Sequence, residues 1–272
     1  MIGPRVGTVV GVAAGVAVGV SADELGGGTA NPMAGVTRDA TSGIYRPSNA
    51  TEWTTTLAVA GLGGGNPTGL WLCQDASGDL ADAIGSNPLV VSGAPAYRQS
   101  NTGWTTKSFN ITATTVQAAI LAAGVFNPAA DSIAWLGYCC LTGTPGGNRN
   151  VLTLTNNATG IRVDHTVANK LQMTCGANTA TSANTYTTST IFPIAIVYNR
   201  TATSCKLYTE LEELTVTYAS VGDGNKGIGA VQSTGDSTAH WNMLTAFSST
   251  AAELSTANMR SLLQTLAWSP AF

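Results

Sequence analysis

Apolar residues recur along this chain in short runs, and the period inside each run separates strands from helices. In IAIVYN, Ile194, Ile196 and Tyr198 fall on one face while Ala195, Val197 and Asn199 fall on the other, the two-residue period of a strand. Similar runs predict strands over 69–74, 89–93, 131–143, 150–156, 160–165, 170–175, 191–199, 205–210, 214–219 and 226–232. Between them stand GTPGGNRN, NNATG, NRTATS, GDGNKG and STGDS, clusters of residues that favour turns. Strands this short and this closely spaced predict an antiparallel two-sheet sandwich rather than alternating β and α units. Helical spacing is scarce. Trp53, Leu57 and Val59 suggest a helix over 50–61, and 115–124 reads equally as a helical turn or a buried strand. The clearest helix is 249–268, where Leu254, Met259, Leu262, Leu263 and Leu266 recur at three- and four-residue steps behind Ser255 as N-cap.

Residues 1–44 differ from all that follows, so the chain divides into an extended N-terminal arm with its connector (1–44) and one β domain (45–272). From Val6 to Ser21 the even positions are almost all β-branched: Val6, Val10, Val12, Val16, Val18 and Val20, with Thr8 and Ala14 between them. The odd positions are mostly Gly and Ala. That alternation is a strand's, and a strand of this length reaches about 50 Å. Two other readings compete. Glycine at every fourth position from Gly3 to Gly19 resembles a transmembrane Gly-x-x-x-Gly seam, but Val and Gly both disfavour helix and the run is short for a span. Arg5 ahead of the run and Val20-Ser21-Ala22 behind it resemble a signal peptide and its cleavage site. The extended arm ranks first, the signal second and the membrane helix third.

Composition narrows the classes of partner. Only 10% of residues are charged and the formal net charge is -3, so no basic field draws nucleic acid or anionic lipid. Hydrophobic residues make up 44%, enough to exclude charge-driven disorder. Cys73, Cys139, Cys140, Cys175 and Cys205 form no C-x-x-C spacing and read as small buried residues in a reducing compartment. Adjacent Cys139 and Cys140 point to opposite faces of a strand and share neither metal nor bridge. Sequons at Asn49, Asn110, Asn157 and Asn199 are expected by chance in a chain this rich in Asn and Thr.

Several stretches, in order from Gly69 to Trp268, resemble the concanavalin A-like lectin/glucanase superfamily in its laminin-G-like branch. The opening LWLCQDASGDLADAIGSNPLVVSG matches at Trp71, Ser77, Gly78, Asp82, Gly85 and Leu89. DSIAWLGYCC resembles the branch's aromatic strand, and VLTLTNNATGIRVDHTVANKLQMT its following hairpins. IFPIAIVYNRTATSCKLYTELEEL places Tyr198, Leu207 and Tyr208 as the branch's later hairpin does, and AFSSTAAELSTANMRSLLQTLAW resembles its closing strand and helix. The resemblance implies a jelly roll of two curved antiparallel sheets, in a superfamily that holds lectins, hydrolases, proteases and structural modules. Domains of this kind also occur in tailed-bacteriophage structural proteins. The Asp82-x-x-Gly85 turn is read as structural, Asp82 accepting backbone amides and Gly85 taking a left-handed turn, in preference to calcium ligation.

Chemistry is sparse. Glycoside hydrolases of the superfamily carry E-x-D-x-x-E on one strand; here TELEELTV offers Glu210, Glu212 and Glu213 without the central Asp, where a hairpin turn is expected. Asp164 and His165 are sequence neighbours and face apart in a strand, and His240 beside Trp241 reads as a packed or capping residue. Asp223, Asn225 and Asp236 are too scattered for the calcium loop of legume-type lectins. Trp53, Trp104, Tyr97 and Tyr186 are candidate sugar platforms, with Trp53 and Trp104 the foremost, while Trp71, Trp135 and Trp268 read as core. No catalytic, cofactor or metal residue is expected. The overall expectation is a non-enzymatic virion protein, such as a phage capsid decoration, assembled in the host cytoplasm. Its arm would bind other copies or capsid protein, with no nucleic acid and no membrane. The alternatives are a lectin-like surface or adsorption module, secreted or on the cell surface and binding a host glycan, and, further off, a glycoside hydrolase.

Overall fold

Periodicity of two dominates the folded chain as it does the sequence. The computed structural model describes residues 45–63, 66–100, 107–112, 117–155, 160–186, 191–229, 231, 239–250 and 252–267. In chain order the elements are α1 (Ala50–Val59), β1 (Asn66–Trp71), β2 (Val90–Ser92), β3 (Ala96–Gln99), β4 (Ser108–Ile111), β5 (Ala118–Leu121), β6 (Ile133–Leu141) and β7 (Arg149–Thr155). There follow β8 (Ile161–His165), β9 (Leu171–Cys175), β10 (Asn178–Thr181), β11 (Ile191–Asn199), β12 (Ser204–Thr209), β13 (Glu213–Val216), β14 (Lys226–Gly229), β15 (Ala239–Ser248) and α2 (Thr256–Ala267). All pairings among them are antiparallel.

The strands form two sheets, the all-β sandwich expected. One has eight strands in the order β13-β12-β11-β6-β15-β4-β3, with β1 also on β15; the other has seven, β10-β9-β8-β7-β14-β5-β2. The facing sides make one core around Trp71, Trp135, Tyr198 and Trp241. A second apolar layer lies on the outside of the eight-stranded sheet, where Trp53 and Leu57 of α1 and Met259, Leu262 and Leu266 of α2 cover Leu136, Tyr138 and Phe247. Strands β6 and β11 are therefore apolar on both sides, which is why IAWLGYCCL and IFPIAIVY read as continuous runs. Ile194, Ile196 and Tyr198 enter the inter-sheet core while Ala195 and Val197 meet the helices, the division the alternation predicts.

Local chemistry sets the ends. Asn49 caps α1 by accepting from Glu52 N (3.0 Å), and Glu52 reaches back to Ser48 N (2.7 Å). Ser255 Oγ accepts from Asn258 N (3.3 Å), the cap anticipated for α2. Val59, expected on the inner face of α1, is 40% exposed, and Ala60 takes that place three residues after Leu57. The ambiguous 115–124 contains a strand, β5, paired with β14. Gly227 and Gly229 allow this approach, since a Cβ on either would lie 2.0 Å from Ala119 O or 2.3 Å from Gln117 O.

Asp82 does what a structural reading requires. Its Oδ1 accepts from Leu70 N (3.0 Å) and Ile84 N (3.1 Å), and its Oδ2 from Asn87 N (3.3 Å). The loop thereby caps the free edge of β1. Gly85 is needed for a different reason from the one expected: it has no left-handed φ, but a Cβ there would stand 2.7 Å from Asp82 Oδ2.

Candidate functional site

Among the described residues, the outer face of the seven-stranded sheet carries a connected group of polar side chains. Ile161 and Val163 of β8 and Leu171, Met173 and Cys175 of β9 point into the core, so Arg162, Asp164, Gln172 and Thr174 point out. Register sets Arg162 beside Thr174 and Thr153, and Asp164 beside Gln172 and Asn150. Arg162 Nε donates to Asp164 Oδ2 (2.9 Å), Asn150 Nδ2 to Asp164 Oδ1 (3.3 Å), and Thr153 Oγ1 to Asn150 Oδ1 (2.8 Å). Toward the edge, Asn148 Nδ2 donates to Gln172 Oε1 (3.3 Å) and Gln172 Nε2 to Thr181 Oγ1 (3.1 Å). Both described helices pack on the other sheet. The face is thus an array of amides and hydroxyls around one Arg–Asp pair, in which Asn150, Thr153, Asp164 and Thr174 are buried, Arg162 and Gln172 half-buried, and Asn148 and Thr181 exposed.

The carboxylates singled out in the sequence serve the scaffold. TELEELTV forms the turn between β12 and β13, closed by Thr209 N to Glu212 O (3.0 Å). Glu212 accepts from Ala183 N (2.9 Å), Asn184 N (3.0 Å) and the Tyr186 hydroxyl (3.1 Å). Glu213 pairs with Lys206 (2.5 Å) and, more loosely, Arg260 (3.6 Å). Glu210 is half-buried, and its loss of water raises its carboxyl above the ordinary range. Asp223 binds Lys226 Nζ (2.5 Å) and Gly124 N (2.5 Å), while Asn225 Oδ1 accepts from Ala123 N (3.3 Å). Both therefore tie one loop to another; Asp236, the third residue of that loop set, lies outside the described residues. Lys226 is fully buried against the Phe126 ring (5.3 Å from Nζ to centroid), and burial lowers its pKa despite Asp223. Among the described residues no three His, Cys, Asp or Glu side chains converge as a metal site would need.

The histidines part as strand geometry requires. Asp164 lies on the outer face while His165 is wholly buried at the end of the core, where burial depresses its pKa from 6.5 to about 4. His240 lies on β15 with Nδ1 3.0 Å from Ser108 Oγ, and that hydroxyl also meets Gln99 O (3.1 Å). Burial lowers the His240 pKa as well. Ser108 is itself fully buried, so the pair ties strands together and presents no accessible nucleophile.

The aromatic candidates need correction. Trp53 has no exposed surface: its ring packs edge-on against Phe247 (5.9 Å), because the apolar stripe of α1 faces the sheet. An indole in that position offers a sugar no face. Tyr186 is also buried, against Phe192 (5.0 Å), and Tyr97 is half-buried on Phe109 (5.3 Å). Trp104 lies outside the described residues, as do the arm positions Val6, Val10, Val12, Val16, Val18 and Val20 and the helix-end Trp268. Of the sequons, Asn199 is buried and accepts from Ala202 N (3.0 Å), Asn49 caps a helix, Asn110 is half-buried in β4, and Asn157 is not described. The five cysteines are buried and form no disulfide, with Cys139 in the inter-sheet core and Cys140 under the helices. Sequence reading missed the polar sheet face itself. Its signal was the outward set Asn150, Thr153, Arg162, Asp164, Gln172 and Thr174, visible only once register aligns three strands.

No helix among the described residues is long and apolar enough to cross a membrane. No protein-family model matches the chain, and no curated relative does. Solved structures do share its fold. Trypanosoma rangeli sialidase matches 75% of this chain with a TM-score of 0.56 at 10% identity. The botulinum neurotoxin serotype D binding domain matches 73% with a TM-score of 0.53 at 12% identity. The chain spans about a third (33%) of the sialidase and about half (51%) of the toxin domain. At such identities the likeness is one of architecture, and the chain is a two-sheet antiparallel β-sandwich of the kind these proteins contain.

Proposed function

We propose that this is a non-enzymatic virion structural protein, a jelly roll carried on the exterior of a tailed-phage particle and held there by its N-terminal arm. The observation that carries the proposal is the alternation from Val6 to Ser21 set against the lengths of the sandwich edges. The strands paired on one side only among the described residues, β1, β2, β3, β10 and β13, run three to six residues each. One of them is already guarded, since Asp79 Oδ1 accepts Val91 N beside β2 (2.9 Å). A sixteen-residue segment that paired as its alternation suggests would outrun every one of these edges, and a longer strand on another molecule would supply the partner. Carboxylates engaged in loop closure rather than aimed into a cleft support a role without catalysis.

Deletion of residues 1–24 is the test. The truncated protein is expected to remain folded by circular dichroism yet fail to join particles or oligomers in sedimentation and particle pull-down. Normal assembly by the truncated chain would refute the role given to the arm.

A second reading rests on the polar face of the seven-stranded sheet. The lectin-like alternative was expected at Trp53 and Trp104; the surface that supports it instead is the accessible part of this face, where Arg162, Gln172, Asn148 and Thr181 offer donors and acceptors to a polyhydroxyl ligand. Two proteins sharing the fold show how wide the choice is: the sialidase is known with sialic acid and a toxin binding domain with rat synaptotagmin II. A glycan-array signal abolished by Arg162→Ala and by Gln172→Ala would favour this reading. A blank array would leave the arm-based reading alone.

A further inference from the structure

Two of the five buried thiols lie on facing sheets beside the same converging edge of the sandwich. Cys175 ends β9 of the seven-stranded sheet and Cys205 lies at the start of β12 of the eight-stranded sheet. Each strand is one position in from an edge, β10 and β13, and those two edges pack together where the sheets converge. Both side chains enter the shared core. Cys205 stands opposite Tyr198 in register, and the Tyr198 hydroxyl and Cys175 Sγ converge on the same carbonyl, Ala219 O, at 3.1 and 3.7 Å. The two thiols stand near enough for each to shift the other's pKa. The surrounding backbone is tight: a Cβ on Gly176 would lie 2.6 Å from Ala219 Cβ. The other thiols lie apart. Cys73 bonds to Trp71 O, and Cys139 and Cys140 face opposite layers.

We propose that Cys175 and Cys205 form a redox-switchable disulfide that staples the two sheets at their converging edge. The oxidant is a small-molecule disulfide such as oxidised glutathione. The Cys175 thiolate attacks one sulfur of it, forming a mixed disulfide and expelling one small thiolate. Cys205 then attacks the Cys175 sulfur, closing the protein disulfide and expelling the second small thiolate. The two protons given up by the cysteines end on the two small thiols, so two protein thiols and one small disulfide become one protein disulfide and two small thiols. The interaction between the two thiols lowers the Cys175 pKa and raises that of Cys205, which favours Cys175 as the first thiolate. Four-residue edge strands on either side fray more readily than the central ones, which gives the oxidant its path. A domain folded in a reducing cytoplasm would acquire the bond on reaching an oxidising exterior.

The full-length chain, unfolded and refolded in a buffer of oxidised and reduced glutathione, tests this. After alkylation and non-reducing peptide mapping, three alkylated cysteines and a Cys175–Cys205 cross-link are expected. The thermal midpoint should rise by about 5–10 °C and return to its starting value with dithiothreitol. Cys175→Ser and Cys205→Ser should each abolish both effects, and Cys73→Ser neither. Five alkylated cysteines in the wild-type chain after oxidative refolding, or a cross-link mapped to another pair, would overturn the proposal even if a serine variant failed to fold.

Discussion

Replacing Asp82 with Ala strips one carboxylate from three backbone amides at once. Leu70 N–H belongs to a fully buried residue at the edge of β1, while those of Ile84 and Asn87 hold the loop that covers this edge. A hydrogen bond to a charged acceptor contributes about 1.5–3 kcal/mol when its partner cannot reach water. Here one amide is deep and two lie nearer solvent, so the summed loss is about 3 kcal/mol. For a domain of this size that lowers the thermal midpoint by about 6–12 °C. The assay is urea denaturation followed by tryptophan fluorescence, which Trp71 should report well because its indole bonds Asn87 O (2.8 Å) in the same loop. Asp82→Asn keeps one acceptor oxygen and should fall between the two. Gly85→Ala, by crowding Asp82 Oδ2, should lose stability in the wild-type background and lose much less in Asp82→Ala, a coupling a double-mutant cycle reads directly. A loss below about 0.5 kcal/mol for Asp82→Ala would refute the edge-capping account. Chelator sensitivity matching the Asp82→Ala loss would instead assign the carboxylate to a cation.

Three further outcomes follow from burial and charge. Trp53→Ala should cost about 3–5 kcal/mol, measured by denaturant midpoint, because the indole is enclosed between α1 and Phe247; an unchanged midpoint would mean the helix is not docked. His165 has its pKa depressed from 6.5 to about 4, so the fold favours the neutral ring. The resulting stability is complete above pH 6.5 and is lost as pH falls toward 4, by up to about 3 kcal/mol; in His165→Gln that slope should flatten, and an identical pH profile would sink the assignment. Glu210 has the opposite sense: burial raises its pKa, so its ionised form opposes folding above the ordinary carboxylate range. Glu210→Gln should accordingly stabilise the protein at pH 7 and have little effect near pH 4, as thermal melts at both values will show.

How much of this was legible depended on whether a segment's environment is written in its own residues. Strands β6 and β11 were, because burial on both sides demands apolar residues at every position, and IAWLGYCCL and IFPIAIVY have little else. Helix α2 was too, since its stripe and its Ser255 cap are local. Strands β3, β4 and β10, with sequences AYRQ, SFNI and NTAT, were not: four residues carry too little contrast, and neighbours rather than composition make them strands. Strand β15 was only partly visible, because the register shift between Trp241 and Met243 interrupts its alternation at Asn242. Trp53 was misjudged for a related reason. One indole at the start of a short helix looks the same in sequence whether it faces solvent or a sheet, and only the second apolar layer decides.

The same distinction explains why function was harder to see than fold. Catalytic motifs are local patterns, and the nearest one here, Glu210–Glu213, has become a hairpin turn whose carboxylates close loops. What remains is distributed: a polar face that exists only after β7, β8 and β9 align, and a thiol pair that exists only after the two sheets close. Neither has a sequence signature: the face is assembled from three strands, and residues 175 and 205 are separated by two complete strands and three connections. The alternation from Val6 to Ser21 is the reverse case, a strong local pattern that is legible in sequence without any tertiary context. A period of two is carried by the residues themselves, whereas the register that assembles a sheet face is carried by strands far apart in the chain.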